Sequence, residues 1–197
     1  MKTTSKMQGM ALLCTSLFIA SQGVAASNES TLPGDSVYQL DVAGTDQNGV
    51  TQRFPALRGK VRIISMFYAN CPYVCPMIIN TIKQTENTLT DAQRAQTGVV
   101  LISLDPERDT PEALKEVETT RHLDGKRWTL LRTDAGDVRK LAAVLGIQYR
   151  ALENRDFNHS TAIILLDTDG RIRASSDHIG EPNPEFEAAL KALLVTH

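Results

Sequence analysis

A cysteine pair stands between a buried-strand pattern and a helical pattern, and this order constrains the fold more than any other feature. The apolar run 61–68 has the composition of a central strand that is covered on both faces. Cys71-Pro72-Tyr73-Val74-Cys75-Pro76 follows it. Because proline is excluded from a helix interior but favoured at its start, we expect a helix from Pro76 to about Leu89. The two sulfurs would then lie at a turn into a helix.

The rest of the chain continues this alternation of strands and helices. Strand patterns occupy 37–41, 50–54, 99–104, 128–131, 161–166 and 171–174, and helical patterns begin near Asp109, at Asp134 or Gly136, and at Glu185. The pattern predicts an α/β fold with a mixed, mostly parallel sheet that helices flank on both faces. The order resembles a thioredoxin-like core in which 128–145 forms an extra strand–helix insertion.

The first 26 residues have the layout of a secretory signal peptide. Lys2 and Lys6 precede a short apolar run at 10–20, and small residues lead to a cleavage point after Ala26. The run is short for a transmembrane helix, although an uncleaved leader that anchors the chain in the membrane is the alternative. We expect a periplasmic protein with a signal peptide at 1–26, a flexible leader at 27–35 and a thioredoxin-like domain at 36–197.

Charge and motifs exclude several functions. The formal net charge is −2, and the leader removes two of the 21 basic residues but none of the 23 acidic ones. Such an acidic chain is a poor partner for nucleic acid. The sequence has neither a glycine-rich phosphate loop nor a defensible serine–histidine–acid set, so no small-molecule substrate is evident.

Cleavage of the leader removes Cys14 and leaves Cys71 and Cys75. In an oxidising compartment these two would form a Cys71–Cys75 disulfide unless a metal or a reductant intervenes. A purely structural disulfide is the alternative, but it would close a very short loop and would therefore contribute little to the stability of the fold. Proline disfavours helical geometry in the residue before it, so we expect Cys75 at the helix cap, where the helix dipole favours thiolate.

His159 is the predicted third ligand of a metal site. It stands just before the strand 161–166, and in a thioredoxin-like sheet the loop that enters this strand faces the start of the cysteine-bearing helix. Two thiolates suit Cu(I), and an imidazole nitrogen helps to hold Cu(II), so copper is the expected ion.

The other candidate side chains are predicted to have structural roles. We expect the Met77 thioether to contact the core, Asp105 to end a strand beside the site and Asp109 to cap a helix. His122 is predicted to be a surface residue. His178 is close to the closing hairpin, and a metal role there is the minor alternative, because a single imidazole without nearby partners seldom holds a metal.

Three blocks of the sequence resemble, in chain order, the Sco (SCO1/SenC) family of thioredoxin-like copper chaperones. They are the cysteine loop Cys71-Pro72-Tyr73-Val74-Cys75-Pro76, the segment Ser103-Leu104-Asp105-Pro106-Glu107-Arg108-Asp109-Thr110-Pro111-Glu112, and His159-Ser160 with the strand that follows. The resemblance implies that Cys71, Cys75 and His159 bind copper. It departs from the family pattern at Asn158, where an acidic residue is common.

The resemblance implies mainly a metallochaperone and leaves open whether the chain is also a thiol–disulfide reductase. Its role would be to deliver copper to, or to reduce the cysteines of, the binuclear copper site in the copper-bearing subunit of cytochrome c oxidase, or to serve another periplasmic copper or thiol client. The alternative is a thiol–disulfide oxidoreductase that reacts through Cys71 and Cys75. Against it, thioredoxins carry a proline where this chain has Asn158 and His159. A peroxide-scavenging relative ranks last, because no set of activating residues is clear.

Overall fold

The computed structural model describes residues 1–2 and 31–194. The chain from Leu32 onward forms one compact unit. The predicted signal peptide and most of the predicted leader lie outside the described residues, so both stay predictions. Within the described ranges, no helix has the length and apolar character that a membrane span requires.

In the part of the chain that the structure describes, nine strands form two sheets. The strands are β1 (Ala43–Asp46), β2 (Thr51–Arg53), β3 (Val61–Phe67), β4 (Thr97–Ser103), β5 (Trp128–Arg132), β6 (Tyr149–Ala151), β7 (Phe157–His159), β8 (Ile163–Leu166) and β9 (Ile172–Ser176). Seven of them form one sheet in the order β2-β1-β5-β4-β3-β8-β9, and β6 pairs with β7 separately. Strands β3, β4 and β5 are parallel, whereas the other pairings are antiparallel. The predicted mixed sheet is therefore confirmed, but the prediction that it is mostly parallel is wrong, because only the two central pairings, β3 with β4 and β4 with β5, are parallel.

Helices cover both faces of the large sheet. They are α1 (Val74–Asn87), α2 (Asp91–Ala95), α3 (Pro111–Thr120), α4 (Ala135–Val144) and α5 (Pro184–Leu194), and two short 3-10 helices span Val37–Gln39 and Phe54–Leu57. Apolar residues of α1, α3 and α5 form one core with the sheet, and those of α4 and the 3-10 helices form the other. The extra strand–helix unit is β5 followed by α4, with β5 in the sheet between β1 and β4.

Alternation along β3 divides its side chains between the two cores. Ile63 and Phe67 belong to the core under α1, and Ile64 and Met66 belong to the opposite one. All seven residues of β4 are buried as well. Central strands covered on both faces carry continuous apolar runs for this reason, so the sequence reading of both strands is confirmed.

The start of the domain differs from the prediction. The segment 37–41 was expected to be a strand, but Val37–Gln39 is a 3-10 helix, and the first hairpin strand begins at Ala43. The Ser36 hydroxyl accepts a hydrogen bond from the Tyr38 N–H and starts the helical turn. Tyr38 is thereby directed into the core, where its ring meets Phe54 edge-on at a centroid distance of 5.7 Å.

Two elements were not predicted. Helix α2 begins with a capping box between Thr90 and Gln93, a signal that the sequence carries in plain form. The hairpin of β6 and β7 has short strands and a turn in which Arg155 adopts a left-handed conformation with φ of 68°. A turn of this kind is usually signalled by glycine or asparagine, so the hairpin has a weak sequence signature.

Leu101 tests the importance of the central strand. Its side chain is 0% exposed at the middle of β4. Leu101→Ala should lower the free energy of unfolding by about 2–5 kcal/mol, because it removes buried apolar surface and leaves a cavity. Urea denaturation measures the change, and Val50→Ala, at a side chain that is 57% exposed, serves as the control and should have little effect. Equal losses in the two variants would contradict the assignment of the core.

Candidate metal centre

The Cys71 sulfur takes part in starting helix α1. Tyr73 is the N-cap residue, but its side chain makes no capping hydrogen bond. The Cys75 backbone N–H instead donates to the Cys71 sulfur over 3.3 Å. Cys75 was predicted at the cap and lies in the first helical turn instead. Pro76 is tolerated there because the first N–H groups of a helix have no intrahelical acceptor.

Both cysteines are free thiols and almost fully covered. Cys71 is 8% exposed and Cys75 is 2% exposed. The loop between them is open to solvent, since Pro72 and Tyr73 are exposed. The structure thus describes the reduced form, and the Cys71–Cys75 disulfide stays a prediction for the oxidised form.

The two thiols have opposite acidities. The pKa of Cys71 is lowered to about 3, mainly because the Cys75 thiol donates a hydrogen bond to the Cys71 sulfur, with further donation from backbone N–H groups. The pKa of Cys75 is raised by that same hydrogen bond and by burial. The stabilisation of thiolate that was expected at Cys75 therefore applies to Cys71, which carries the negative charge of the pair.

His159 lies beside the cysteines, at the end of β7 rather than in a loop. Its Nε2 atom is 3.9 Å from the Cys75 sulfur. Its Nδ1 atom is 2.9 Å from the Ser160 carbonyl oxygen. A carbonyl oxygen only accepts, so Nδ1 carries the proton, and Nε2 of the neutral ring keeps a lone pair on the side of the sulfurs. A histidine held in this way is oriented as a metal ligand.

An aromatic contact joins the two halves of the site. The Tyr68 ring packs against Phe157 at a centroid distance of 5.2 Å and meets the His159 ring edge-on at 6.3 Å. Burial, and then the hydrogen bond with Cys71, raise the pKa of Tyr68 to about 12, so its phenol stays protonated at neutral pH. Sequence analysis missed this residue, although its place three positions before Cys71 was a usable signal.

The Asp109 side chain is hydrogen-bonded to the segment that leads into the cysteine loop. Its carboxylate is 0% exposed and accepts hydrogen bonds from the Ala69 N–H and, over 2.6 Å, from the Ser103 hydroxyl. Burial raises its pKa. The prediction that Asp109 caps the next helix is wrong, because the Thr110 hydroxyl accepts the capping hydrogen bond from the Ala113 N–H.

The match to known proteins covers nearly all of this domain. The SCO1/SenC family model matches residues 34–194. The chain belongs to the SCO1/SenC family. It is 30% identical over 132 residues to the SCO2-like protein RP587 of Rickettsia prowazekii, an alignment that covers 64% of this chain and 62% of that protein. The chain thus matches less than two thirds of that relative's length.

Solved structures of Sco proteins share the fold. The copper-bound ScoI of Bradyrhizobium japonicum is 26% identical, with a TM-score of 0.63 over 77% of this chain and 96% of the other. A SCO1/SenC family lipoprotein of Bacillus anthracis is 24% identical, with a TM-score of 0.69 over 78% of this chain and 96% of the other. The predicted thioredoxin-like α/β fold is thereby confirmed.

Other candidate residues of this Sco chain lie away from the sulfurs or at the surface. Met77 is 41% exposed, with its methyl group near Gly180, so the predicted core contact is wrong. His178 is exposed, and its Nδ1 atom accepts a hydrogen bond of 2.8 Å from the Asn183 amide. His122 is exposed too.

The donor set of the Sco site suits copper chemically but needs adjustment to hold an ion. In the described part of the chain, no group of three or more His, Cys, Asp or Glu side chains is arranged to hold a metal as it stands. The separation of 3.9 Å between sulfur and Nε2 is nevertheless close to that expected for two donors on one ion at roughly 2.0–2.3 Å each. One obstacle is the proton that Cys75 donates to Cys71, which a metal would displace.

The shared proton yields a prediction on acidity. Cys75→Ala removes the main donor to the Cys71 sulfur, so the pKa of Cys71 should rise from about 3 toward its ordinary value near 8.5. Ultraviolet absorbance of the thiolate, titrated on reduced, metal-free protein, measures it. Wild type should keep one thiolate at about pH 6, and the variant should have lost most of it.

Cys71→Ala is the matched control. The remaining Cys75 is buried and should stay protonated at that pH. A thiolate signal at about pH 6 in Cys71→Ala would contradict the assignment of the charge to Cys71.

Proposed function

We propose that this Sco protein is an exported copper carrier that binds the ion through Cys71, Cys75 and His159. One observation carries the proposal: the Nε2 lone pair of His159 lies beside a pair of sulfurs, one of which is already a thiolate. The copper-bound state of the Bradyrhizobium japonicum relative supports copper as the cargo. Two sulfurs and one imidazole form a donor set that accepts copper in both oxidation states.

The site has features of a carrier that releases its ion. Its three donors leave room for a ligand from another protein. Cys71 lies under an exposed loop in which Tyr73 is 77% exposed, so a client can approach the sulfur from this side. Protonation of Cys75, whose pKa is raised in the metal-free protein, would favour release of the ion.

The client and the compartment follow from the family and from the leader. Family membership supports delivery to, or thiol reduction at, the binuclear copper site of cytochrome c oxidase, and another periplasmic copper or thiol protein is the alternative client. The leader at 1–26 supports work in the periplasm, either after cleavage or on a retained membrane anchor.

Copper titration of the reduced protein tests the proposal. We expect about one ion per chain, and His159→Ala should lower Cu(II) affinity by at least roughly 100-fold, since even a residue behind a ligand costs up to that factor. Competition with a chelator measures affinity, and the visible and electron paramagnetic resonance spectra report the ligands. Cu(I) affinity should fall less, because both thiolates remain.

His178→Ala is the matched control, since it removes another imidazole, one that is bonded to Asn183. It should bind copper as wild type does. Unchanged Cu(II) affinity and spectra in His159→Ala would show that His159 is not a ligand. Failure of wild type to bind copper would refute the proposed function.

A thiol–disulfide oxidoreductase is the second candidate, favoured by the unequal acidities of the two cysteines. The Cys71 thiolate would attack a client disulfide, form a mixed disulfide and release one client thiolate. Cys75 would then lose its proton and attack the Cys71 sulfur, releasing the second client thiolate and leaving a Cys71–Cys75 disulfide. A separate thiol reductant would return the protein to its reduced form.

Single cysteine variants distinguish this reaction from simple copper carriage. In copper-free protein with a model disulfide substrate, Cys71→Ser should abolish turnover, and Cys75→Ser should trap the mixed disulfide, because the resolving thiol is gone. Mass spectrometry identifies the trapped species, and a coupled thiol assay gives the rate. Absence of any turnover by wild type would exclude this second function.

A further inference from the structure

The hairpin that carries His159 lies outside the seven-stranded sheet. Strands β6 and β7 pair only with each other among the described strands, and His159 stands opposite Tyr149 in their register. A two-stranded hairpin is marginally stable alone in water. The placement of His159 over the sulfurs therefore depends on contacts between the hairpin and the rest of the domain.

One attachment is an aromatic contact at the start of β7, where Phe157 stands opposite Ala151 beside the turn. The half-buried Phe157 ring packs on Tyr68, which is 3% exposed. At the other end, the Ser160 N–H donates to the Gln148 carbonyl oxygen over 2.9 Å and closes the base of the hairpin itself. The aromatic contact thus holds the start of β7, and a further group contacts the turn that precedes it.

The second attachment lies at the turn and is made by Arg108. Its guanidinium donates a hydrogen bond to the Arg155 carbonyl oxygen and pairs with the Asp105 carboxylate. The Asp105 side chain is 8% exposed, and its backbone N–H donates to the Ser103 hydroxyl at the end of β4 over 2.9 Å. A continuous line of bonds thus runs from the central sheet through Arg108 to the hairpin.

The acceptor on the hairpin is held in a costly conformation. Arg155 has a φ of 68°, in the left-handed region that residues other than glycine seldom adopt. Its N–H donates to the Leu152 carbonyl oxygen over 3.0 Å, so the turn is compact. A local conformation of this kind persists where surrounding contacts impose it, and Arg108 supplies one of them.

We propose that Arg108 is a positioning residue that holds the β6–β7 hairpin so that His159 stays beside the two sulfurs. Arg108 acts through the backbone of Arg155. The consequence for copper rests on the proposed function: a fixed imidazole binds Cu(II) without first being ordered, whereas Cu(I) relies mainly on the thiolates. Arg108 should therefore favour Cu(II) over Cu(I).

The first test uses reduced, copper-free protein and does not depend on copper binding. Arg108→Gln should speed amide hydrogen exchange over 149–159 by about 10-fold, the factor expected for loss of a charge-assisted hydrogen bond, with no change in β3 and β4. The nuclear Overhauser effect between the Tyr68 and His159 rings should weaken. Arg108→Lys should behave similarly, because an ammonium lacks the planar fork that reaches both acceptors.

Arg150→Gln is the matched control, since it removes a charge from the exposed strand β6 and keeps the Arg108–Arg155 contact. It should exchange as wild type does. Unchanged hairpin exchange and an unchanged Tyr68–His159 effect in Arg108→Gln would overturn the proposal, as would an equal effect of Arg150→Gln.

The second test adds copper. Arg108→Gln should weaken Cu(II) binding by about 10-fold, move its spectrum toward that of His159→Ala and change Cu(I) affinity by less than about twofold. Equal losses for both oxidation states, or Cu(II) binding identical to that of Arg150→Gln, would overturn the role in copper selection. Failure of wild type to bind copper would refute the proposed function, and the copper-free measurements would still decide whether Arg108 positions the hairpin.

Discussion

The central place of β3 in the sheet is the constraint on which the site depends. It pairs in parallel with β4 along seven residues, from Val61 opposite Thr97 to Phe67 opposite Ser103, and antiparallel with β8. The carboxyl ends of β3 and β4 and the entrance to β8 therefore meet at one edge. The cysteine loop and the Asp109 carboxylate follow β3 and β4 at this edge, and His159 lies there because its hairpin leads into β8.

At that edge, a single proton divides the cysteine pair into a thiolate and a thiol. The Cys75 proton stabilises the negative charge on Cys71. In the proposed metal site, the ion would take the place of this proton between the two sulfurs. The proposed metal carriage and the proposed thiol exchange would therefore both depend on the negative charge of the Cys71 sulfur. What would separate the two proposed functions is His159, which is the third donor of the proposed metal site and has no part in the exchange of disulfides outlined above.

Sequence reasoning was most accurate where one physical requirement dominates. A strand covered on both faces must be apolar throughout, so the runs around Ile64 and Leu101 were read correctly. It was wrong where a polar side chain can hydrogen-bond either to a neighbour in sequence or to a residue farther along the chain. Ser36 caps a 3-10 turn in a segment of strand-like composition, and Asp109 bonds to the Ala69 N–H and the Ser103 hydroxyl rather than to the helix that follows it.

The sequence by itself determined the alternation of strands and helices and the cysteine pair at a strand–helix turn, because periodicity, proline placement and residue type are local properties. Only the tertiary structure decided which of the two sulfurs is charged and that His159 lies on a separate hairpin. It also decided that Tyr68, Arg108 and Asp109 contact the segments that form the site. Those outcomes depend on distances between residues far apart in the chain, and sheet pairing sets such distances while no local pattern encodes them.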